Sequence, residues 1–579
     1  MCGIAGFFGR NKNIAIEMQE TLKRRGPDQN GIFEGDWTLL HTRLAVVDIE
    51  KGRQPMRFQN YILIYNGELY NTREIKRELL ALGHRFFGTG DTEVLIHAYA
   101  EWKENALQKL NGIFAFAVLD INTNQLFLAR DRIGVKPLFF YCNPLKGQFV
   151  FGSEIPTLLA NSNVPRMLDK RGVRQFILMG PGRDSGKTPL KNINELKPAQ
   201  FMKVKVEDGK IKVKRKTYWK LKEREYTKSY EESVLEVRNL AEDAIMRQLV
   251  SDVPIGTFLS GGIDSSIITA IARRERLSSS PKDNLETFSV FYQDNDKYFQ
   301  KTKFQSAPDD YYIEQMKTKN NKTVITTNQL FQSLKLAVDA RGLPGMADID
   351  ASLLIFCKDI KKKVTVALSG ECADEIFGGY RWFYESAMHG GFPWADNQEY
   401  RLSFLKNKYK KALVSGVKKN VKLNHRQMMK LNMDYFMQTL LDRKDRMSMY
   451  NGLEVRVPFA DYRLVELCYN LPFEYKYRGG IEKSVLRDAF ADILPKEIKG
   501  RKKSPYPKTF NPDYLKMLED EMQDVIDNRD EPIHKIIDLV SLKQFRDEFW
   551  YGQLMARPQT IAYFLQINYW LKKYDIKIL

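Results

Sequence analysis

The sequence predicts an α+β half followed by an α/β half, and three observations lead to this fold class. From Cys2 to about Phe201, short segments of alternating apolar residues are separated by turn residues, a pattern typical of antiparallel strands. After Tyr230 the pattern changes to helix, strand, helix, which predicts a parallel, doubly wound sheet. The chain has 579 residues, too many for one hydrophobic core, so we expect two or three domains.

In the first half, the predicted elements are short strands and a few helices. Alternation predicts strands at Gly31–Phe33, Thr38–Leu40, Leu44–Asp48, Tyr61–Tyr65, Phe114–Asp120, Gln125–Ala129 and Phe149–Gly152. The residues Tyr65-Asn66-Gly67 and the segment Asp120–Asn124 predict turns. Helical spacing predicts helices at Asn13–Arg24, Thr72–Leu82 and Thr92–Trp102, the last with Asp91 or Thr92 as its N-cap. Antiparallel sheets covered by helices are the expected architecture.

In the second half, strands and helices alternate. The predicted elements are helices over Val234–Leu249 and from about Asp264 to Arg274, strands at Val253–Leu259, Glu286–Tyr292 and Lys363–Leu368, and mostly helix beyond about Asp374. The Lys/Glu-rich segment after Met202 predicts a linking strand and connector. We therefore predict domains at 2–201 and 230–579, joined by a connector at 202–229.

The basic charge allows a nucleic-acid-binding protein as one hypothesis. Lys and Arg number 91 against 72 Asp and Glu, a net charge of +19. Binding to nucleic acid needs that charge gathered on one face, whereas here it is spread along the chain. The short runs Lys361–Lys363 and Arg501–Lys503 predict solvated turns or helix ends. Nucleic acid is therefore not an expected partner, although this class stays as a rival hypothesis.

Composition and sequence pattern also indicate in which compartment the protein is expected. No apolar run approaches the ~18–20 residues that cross a bilayer, and the N-terminus lacks a signal-peptide pattern. The five cysteines contain no Cys-x-x-Cys pair, which argues against a disulfide scaffold or a zinc ribbon. We expect a soluble, cytoplasmic protein with no membrane partner, and a homodimer is left open.

A candidate phosphate site lies at Ser260-Gly261-Gly262-Ile263-Asp264-Ser265, where a predicted strand turns into a helix. Glycines let the backbone approach a ligand, and the helix N-terminus offers free N–H donors. The Asp264 carboxylate would repel phosphate unless it holds Mg²⁺ that bridges to the phosphates. Asp374 follows the next strand in Ser369-Gly370-Glu371-Cys372-Ala373-Asp374 and is the second candidate ligand of this metal.

Cys2 is a candidate nucleophile. Removal of Met1 would leave Cys2 with both a thiol and a free α-amine. An α-amine has an ordinary pKa of about 7.7–8.0, so one residue can supply both the nucleophile and its base. Asn66, through its side chain, and Gly67, through its backbone N–H, are the candidate oxyanion donors.

The residues around Cys2 suit an α-amino acid as substrate. Arg43 is a candidate partner for the substrate carboxylate, and Glu68 and Asp91 are candidates for its ammonium group.

Together these motifs resemble the glutamine-hydrolysing asparagine synthetases, a family of class II, N-terminal-nucleophile amidotransferases. In the first half the resemblance rests on Met1-Cys2-Gly3-Ile4-Ala5-Gly6, Arg25-Gly26-Pro27-Asp28, Arg43-Leu44-Ala45-Val46-Val47-Asp48, Tyr65–Asn71, Gly90-Asp91-Thr92-Glu93 and Ala129–Gly134. In the second half it rests on Leu259–Ser266, Leu368–Tyr380, Asp445-Arg446-Met447-Ser448, Leu453–Phe459 and Glu482–Arg487. It covers nearly the whole chain.

The resemblance implies an αββα glutaminase sandwich and an ATP-pyrophosphatase (PP-loop) domain with a helical C-terminal part. Glutamine would be hydrolysed through a Cys2 thioester, and ammonia would pass through a tunnel to an aspartyl-adenylate made from ATP and aspartate. Arg43, Asn66, Gly67, Glu68 and Asp91 would bind glutamine. The residues implied at the nucleotide are Leu259, Val290, Ser369 and Gly370, with Ser260, Gly261, Gly262, Asp264 and Ser265 at the pyrophosphate portion.

Two further catalytic residues are implied. Glu371 would act in forming or aminating the adenylate, and Lys483 would stabilise charge on the transferring phosphate. The acceptor stays open, because Cys372-Ala373 and Ala340–Ser352 depart from the common family pattern. Another carboxylate, such as diaminopimelate in a cell-wall precursor, is the alternative to aspartate.

Overall fold

The structure is a computed structural model that describes residues 1–279, 285–298, 308–385, 402, 404–410, 423–504, 506–538 and 557–579. The strands of its first half are β1 Cys2–Phe8, β2 Gln29–Glu34, β3 Trp37–Arg43, β4 Met56–Phe58, β5 Tyr61–Leu69, β6 Gly112–Asp120, β7 Gln125–Arg130, β8 Phe139–Asn143, β9 Gln148–Gly152, β10 Met167–Leu168, β11 Ile193–Glu195, β12 Gln200–Glu207 and β13 Lys210–Thr217. Its helices are α1 Lys12–Leu22, α2 Thr72–Ala81, α3 Asp91–Trp102, α4 Ala106–Lys109, α5 Ile155–Leu159 and α6 Lys170–Met179.

These strands form two antiparallel sheets, ordered β11-β8-β9-β1-β3-β2 and β13-β12-β7-β6-β5-β4. Alternate residues of a strand point to opposite faces of its sheet. On β5, Ile62 and Ile64 pack against Ile4 of the other sheet, whereas Leu63 packs against Leu95 of α3. Helix α1 covers the outer face of the first sheet. The predicted αββα sandwich is therefore confirmed.

Three local predictions differ from the structure. The predicted strand Leu44–Asp48 is irregular, because the Arg43 guanidinium binds the carbonyl oxygens of Val47, Asp48 and Ile49. The predicted turn at Tyr65-Asn66-Gly67 is wrong, since β5 runs without a break to Leu69.

The predicted connector 202–229 also differs, in its first part. Residues 200–217 form the hairpin β12–β13, and β12 pairs with β7 in the second sheet. The alternating pattern of Met202, Val204 and Val206 is that of a sheet strand, and Met202 and Val204 are fully buried.

The second half contains a five-stranded parallel sheet ordered β16-β15-β14-β17-β18. Its strands are β14 Ile255–Phe258, β15 Glu286–Tyr292, β16 Lys319–Ile325, β17 Val366–Leu368 and β18 Glu454–Arg456. Three short strands follow, β19 Tyr477–Arg478, β20 Ile481–Glu482 and β21 Lys577–Ile578. The described helices are α7 Tyr230–Arg247, α8 Ile263–Ser279, α9 Asn295–Tyr298, α10 Asp309–Gln315, α11 Thr327–Arg341, α12 Asp348–Lys361, α13 Ala373–Phe377, α14 Asn407–Lys410, α15 His425–Asn432, α16 Gln438–Met449, α17 Tyr462–Asn470, α18 Phe473–Lys476, α19 Ser484–Ala489, α20 Lys496–Lys499, α21 Pro512–Asp527 and α22 Arg557–Lys573.

Both faces of the parallel sheet are covered by helices. Val366 and Leu368 pack in one core with Ile267 of α8, whereas Ala367 packs in another with Phe356 of α12. The order of the strands reverses between β14 and β17, and ligands of such sheets bind in the crevice at that point. No helix in the described part of the chain has both the length and the apolar character needed to cross a membrane.

Candidate functional site

The first candidate site lies where β1 begins, at Cys2. The Cys2 backbone N–H donates a hydrogen bond to Oδ1 of Asn66 on β5, at 3.1 Å. Cys2 is buried, and burial raises the pKa of its thiol. The α-nitrogen of Cys2 thus lies against the residue that the sequence assigned to the oxyanion hole.

Asn66 and Gly67 occupy the centre of β5. Asn66 is fully buried, and its Nδ2 has no hydrogen-bond partner among the described residues. A Cβ atom at Gly67 would lie 2.2 Å from the carbonyl oxygen of Ile113. The glycine is therefore required by the close approach of β6, and Asn66 keeps a free donor beside Cys2.

Arg43, Glu68 and Asp91 surround this position, but the structure gives each of them protein partners. Arg43 donates to Gln29 Oε1 and to three carbonyl oxygens of the segment 47–49, so its guanidinium fixes that loop. Glu68 lies 3.7 Å from Arg456 of the second half, and burial raises the pKa of Glu68.

Asp91 is the first residue of α3 and not its N-cap, which is Gly90. Its Oδ2 accepts the Tyr65 hydroxyl at 2.8 Å and the Leu69 N–H at 2.9 Å. The carboxylate is turned toward β5 by these two donors, which is why the predicted capping role is wrong.

Met1 is buried between the two halves of the chain. It is 1% exposed, and its ammonium group donates to Glu454 Oε2 at 2.6 Å and to the Leu44 carbonyl oxygen at 3.3 Å. Met1 is therefore shielded from solvent in the folded chain.

The second candidate site is the loop between β14 and α8. Gly261 has φ +68°, a backbone conformation that glycine adopts without strain. The Ser260 and Ser265 hydroxyl oxygens lie 3.2 Å apart, and the Ser260 hydroxyl also accepts the Gly262 N–H. The backbone N–H of Leu259 donates to the carbonyl oxygen of Phe288 on β15, the strand that carries Val290.

The loop after β17 packs directly against this phosphate loop. A Cβ atom at Gly370 would lie 3.0 Å from the Cβ of Asp264, so a larger residue would crowd this contact. The Ser369 hydroxyl donates to Glu371 Oε2. The candidate nucleotide residues from β14, β15 and β17 are thus brought to one edge of the sheet, beside the crevice.

Lys483 joins the two candidate metal ligands. Its Nζ lies 2.5 Å from an oxygen of Asp264 and 2.5 Å from an oxygen of Asp374. Burial alone would raise the pKa of Asp374, but Lys483 and Lys503 outweigh it and lower that pKa to about 2. Burial likewise opposes the charge of Lys483, yet the two carboxylates raise its pKa to about 12. Both groups are held ionised.

Asp264 and Asp374 fit a magnesium ion that also binds phosphate. The buried Oδ1 of Asp264 has no hydrogen-bond partner among the described residues, which a cation would satisfy. In the described ranges no cluster of three or more His, Cys, Asp or Glu side chains forms a complete metal site. Magnesium needs no such cluster, since it commonly takes one or two carboxylates together with phosphate oxygens and waters.

Sequence reasoning missed two residues of this site, Arg501 and Lys503, whose segment was predicted to be a solvated turn. Arg501 Nη1 donates to the Ser260 carbonyl oxygen at 2.8 Å, and its Nη2 binds Asp309. Lys503 Nζ lies 2.7 Å from Asp374 Oδ2. A basic triplet in a sequence gives no indication of which loop it will face, so the signal was too weak to find them.

The two candidate sites are joined by one buried helix, α16. Arg25 donates from Nε to the Cys2 carbonyl oxygen at 3.0 Å and from Nη1 to Asp445 Oδ2 at 2.7 Å. The two residues before Asp445 reach the other site, because Arg443 and Lys444 both contact Glu371 Oε1, at 3.3 and 2.9 Å. Three consecutive residues of α16 therefore contact both sites.

Comparisons with known families agree with this arrangement. The family model described as "Asparagine synthase" matches residues 236–572, which is more than half of the chain. The chain belongs to the asparagine synthase family. A second model, described as "Glutamine amidotransferase domain", matches residues 1–219, close to the end of β13 at Thr217. The family predicted from the motifs is confirmed.

Individual relatives give the same result. "Asparagine synthetase [glutamine-hydrolyzing] 3" of Bacillus subtilis (strain 168) is 45% identical over 618 aligned residues that cover 100% of both chains. "Asparagine synthetase [glutamine-hydrolyzing] 1" of the same organism is 31% identical and covers 88% of this chain and 87% of its own. Among solved structures, a glutamine PRPP amidotransferase from B. subtilis covers 48% of this chain and 64% of its own, with 21% identity and a TM-score of 0.29.

Proposed function

We propose that this protein is a glutamine-dependent asparagine synthetase that uses glutamine, ATP and aspartate and releases asparagine, glutamate, AMP and pyrophosphate. One observation carries the proposal: three consecutive residues of α16 contact both candidate sites, Asp445 through Arg25 and Cys2, and Arg443 and Lys444 through Glu371. A reaction that makes ammonia at one site and uses it at another needs such a fixed relation between the two. The family and the names of the relatives support the same activity.

At the first site, Cys2 attacks the amide carbon of glutamine after Met1 has been removed. The thiol proton passes to the α-amine of Cys2, which Asn66 Oδ1 positions. Charge that develops on the amide oxygen is stabilised by the free Nδ2 of Asn66 and the N–H of Gly67. Collapse of the intermediate releases ammonia and leaves a thioester, which water hydrolyses to glutamate.

Arg43, Glu68 and Asp91 shape the pocket for the glutamine main chain. Arg43 binds the carbonyl oxygens of Val47, Asp48 and Ile49 and so holds this segment in place. The carboxylate of Asp91 is held beside the same space by Tyr65.

At the second site, the acceptor carboxylate attacks the α-phosphorus of ATP, and pyrophosphate leaves. The N-terminus of α8, with Ser260, Gly262 and Ser265, binds the phosphates. Lys483, which contacts Asp264 and Asp374, and Lys503, which contacts Asp374, stabilise the negative charge that builds up on the leaving group. Ammonia then displaces AMP from the adenylate, and Glu371 accepts the proton that the attacking nitrogen loses.

Asp264 and Asp374 would hold Mg²⁺, which supplies charge neutralisation for the phosphates when it is bound. Lys483, which both carboxylates share in the structure, would then be available to a phosphate oxygen. We also propose a cytoplasmic location, because all five cysteines are free thiols in the structure, as in a reducing compartment. The proposed units are a glutaminase unit ending near Thr217 and a synthetase unit over 230–579.

The test is a product assay on the full chain with ATP, Mg²⁺ and glutamine labelled at its amide nitrogen. With aspartate we expect labelled asparagine, AMP and pyrophosphate. Release of ADP and phosphate would contradict the proposal. Pyrophosphate release only with a diaminopimelate-containing acceptor would keep the chemistry and replace the acceptor. Salt-sensitive binding to nucleic acid without glutaminase activity would favour the rival class.

A further inference from the structure

Arg443 and Lys444 on α16 form a buried pair of cations that share one carboxylate. Each residue is 5% exposed. Within the part of the chain that the structure describes, Glu371 is the only carboxylate in ion-pair contact with either of them, and both contact its Oε1. A single negative charge therefore faces two buried positive charges.

A neighbouring buried arginine, Arg341, is compensated more fully. Arg341 contacts two carboxylates, Asp350 at 3.0 Å and Asp442 at 3.3 Å. Since a buried charge is costly unless it is paired, the two cations beside Glu371 leave an excess of positive charge there. Such an excess is what a bound anion would compensate.

The cation pair also keeps unused hydrogen-bond donors. Nε of Arg443 is buried without a partner among the described residues. Lys444 has three N–H donors, and its Nζ otherwise lies 4.2 Å from the ring centroid of Phe258, which cannot accept a full hydrogen bond. A carboxylate has the geometry to accept from both side chains at once.

The location of the pair ties it to the acceptor of the reaction. Phe258 ends β14, and Glu371 follows β17, so the cations lie at the point where the strand order of the sheet reverses. Tyr506 forms a polar wall there, with its ring 5.4 Å from the Arg443 guanidinium and its hydroxyl 3.4 Å from that of Ser352. The site is next to the nucleotide loop but carries none of the candidate phosphate residues.

We infer that Arg443 and Lys444 bind the second carboxylate of the acceptor, the one that does not react, and so select a dicarboxylic amino acid. The inference rests on the proposed function. When the side-chain carboxylate of aspartate reaches the α-phosphate, its α-carboxylate has to be held elsewhere, and the excess positive charge beside Glu371 compensates it. These two residues are specificity-determining, whereas Glu371 touches the reacting groups.

The test compares two acceptors that differ only in this carboxylate. β-Alanine keeps the reacting carboxylate and the amine of aspartate at the same spacing, but lacks the α-carboxylate. Pyrophosphate release is measured with ATP and ammonia, which makes the assay independent of glutamine hydrolysis. Succinate, which keeps both carboxylates and lacks the amine, is the third acceptor.

The variants are Lys444→Met and Arg443→Gln, with Lys444→Arg as the rescue and the exposed Lys358→Met on α12 as the control. Because each cation would form a charged hydrogen bond with the α-carboxylate of aspartate, each loss of charge should raise KM for aspartate at least about tenfold. The aspartate-to-β-alanine ratio of kcat/KM should fall by a similar factor. KM for ATP should not change, and Lys444→Arg should restore most of the ratio.

Three outcomes are distinguishable. If kcat falls equally for aspartate and β-alanine while KM for aspartate stays constant, the cations only position Glu371 and the inference is overturned. If wild type discriminates poorly against β-alanine, it is overturned as well. If wild type releases no pyrophosphate with aspartate, the proposed function itself fails. Should Lys444→Met not fold, Arg443→Gln and Lys444→Arg still decide the question.

Discussion

Arg25 and Asp445 form an ion pair between the first and the second half of the chain, with Nη1 and Oδ2 2.7 Å apart and both side chains almost fully buried. Lys136 Nζ lies 3.2 Å from the other oxygen of Asp445. Because Arg25 also binds the Cys2 carbonyl oxygen at 3.0 Å, the position of Cys2, the proposed nucleophile, depends on a helix of the second half.

Replacing Asp445 tests this dependence. Asp445→Asn leaves Arg25 and Lys136 as buried charges with less compensation, and we expect the free energy of unfolding to fall by about 3–5 kcal/mol. The ratio of glutamate to asparagine formed should also rise above one. Denaturant unfolding and product analysis measure the two effects. Glu20→Gln, which removes the exposed ion pair with Lys23, is the control and should change neither the free energy of unfolding nor the product ratio. An Asp445→Asn protein with both quantities unchanged would refute the coupling.

Asn66→Asp removes the free Nδ2 donor and keeps an oxygen for the Cys2 α-nitrogen. We expect kcat for glutamine hydrolysis to fall by about 10²–10³, as for the loss of one oxyanion donor, with KM little changed. Synthesis from ammonia should continue. Steady-state glutaminase kinetics give the answer, with the exposed Asn30→Asp on β2 as the control. A rise in KM with kcat unchanged would mean that Asn66 only binds substrate.

Cys2→Ala should abolish use of glutamine and spare synthesis from ammonia, because the second site has its own residues. Cys142→Ala, at a half-buried thiol outside both sites, is the matched control and should keep both activities. Intact mass spectrometry of the wild type should show a chain that is shorter by its initiator methionine. An active wild type that retains Met1 would contradict the proposed base.

Lys483→Ala should have the opposite effect. The two carboxylates of Asp264 and Asp374 would then face each other without their shared cation, and the pKa of Asp374 should rise from about 2. We expect pyrophosphate release to fall by about 10²-fold or more, while glutamine hydrolysis continues. The exposed Lys502→Ala, in the neighbouring basic run, is the control. Normal amide synthesis by Lys483→Ala would remove this residue from the mechanism.

Glu375 predicts a pH dependence of stability. Burial, with the charge of Asp374, raises its pKa to about 7, while the unfolded chain releases the proton near pH 4.5. The neutral carboxyl of Glu375 therefore makes its full contribution to the stability of the folded state below about pH 4.5. This contribution is lost as the pH rises through about 7. At 1.36 kcal/mol per unit the loss is on the order of 3 kcal/mol.

Glu375→Gln cannot ionise and should remove this part of the pH dependence. The free energy of unfolding, measured between pH 4.5 and 8, is expected to fall with pH in the wild type relative to the variant. The Tyr380 hydroxyl, which donates to Glu375 Oε1 at 2.7 Å, can donate equally to the amide oxygen. Parallel curves for the two proteins would show that Glu375 titrates in its ordinary range.

Much of the site was predictable because its residues lie close together in the sequence. Ser260 to Gly262 form the loop before α8, and Asp264 and Ser265 lie in the first turn of that helix, so the chain itself keeps them together. The sequence predicted that Asn66 lies near Cys2, as it does in the structure, but it also predicted a turn at Asn66-Gly67. In the structure both residues lie within β5. Only the packing of β6 shows that Gly67 is required by a close approach of strands.

The sequence by itself determined the two halves and their different patterns of elements, because these depend on local spacing and periodicity. Its motifs, including those at Cys2 and Ser260, determined the family by their resemblance to known members. Only the tertiary structure decided that Arg25 meets Asp445, that Lys503 reaches Asp374, and that Arg443 and Lys444 share Glu371. These partners are tens to hundreds of residues apart, and most charged residues are solvated. Which ones become buried partners depends on how the helices close over the sheet.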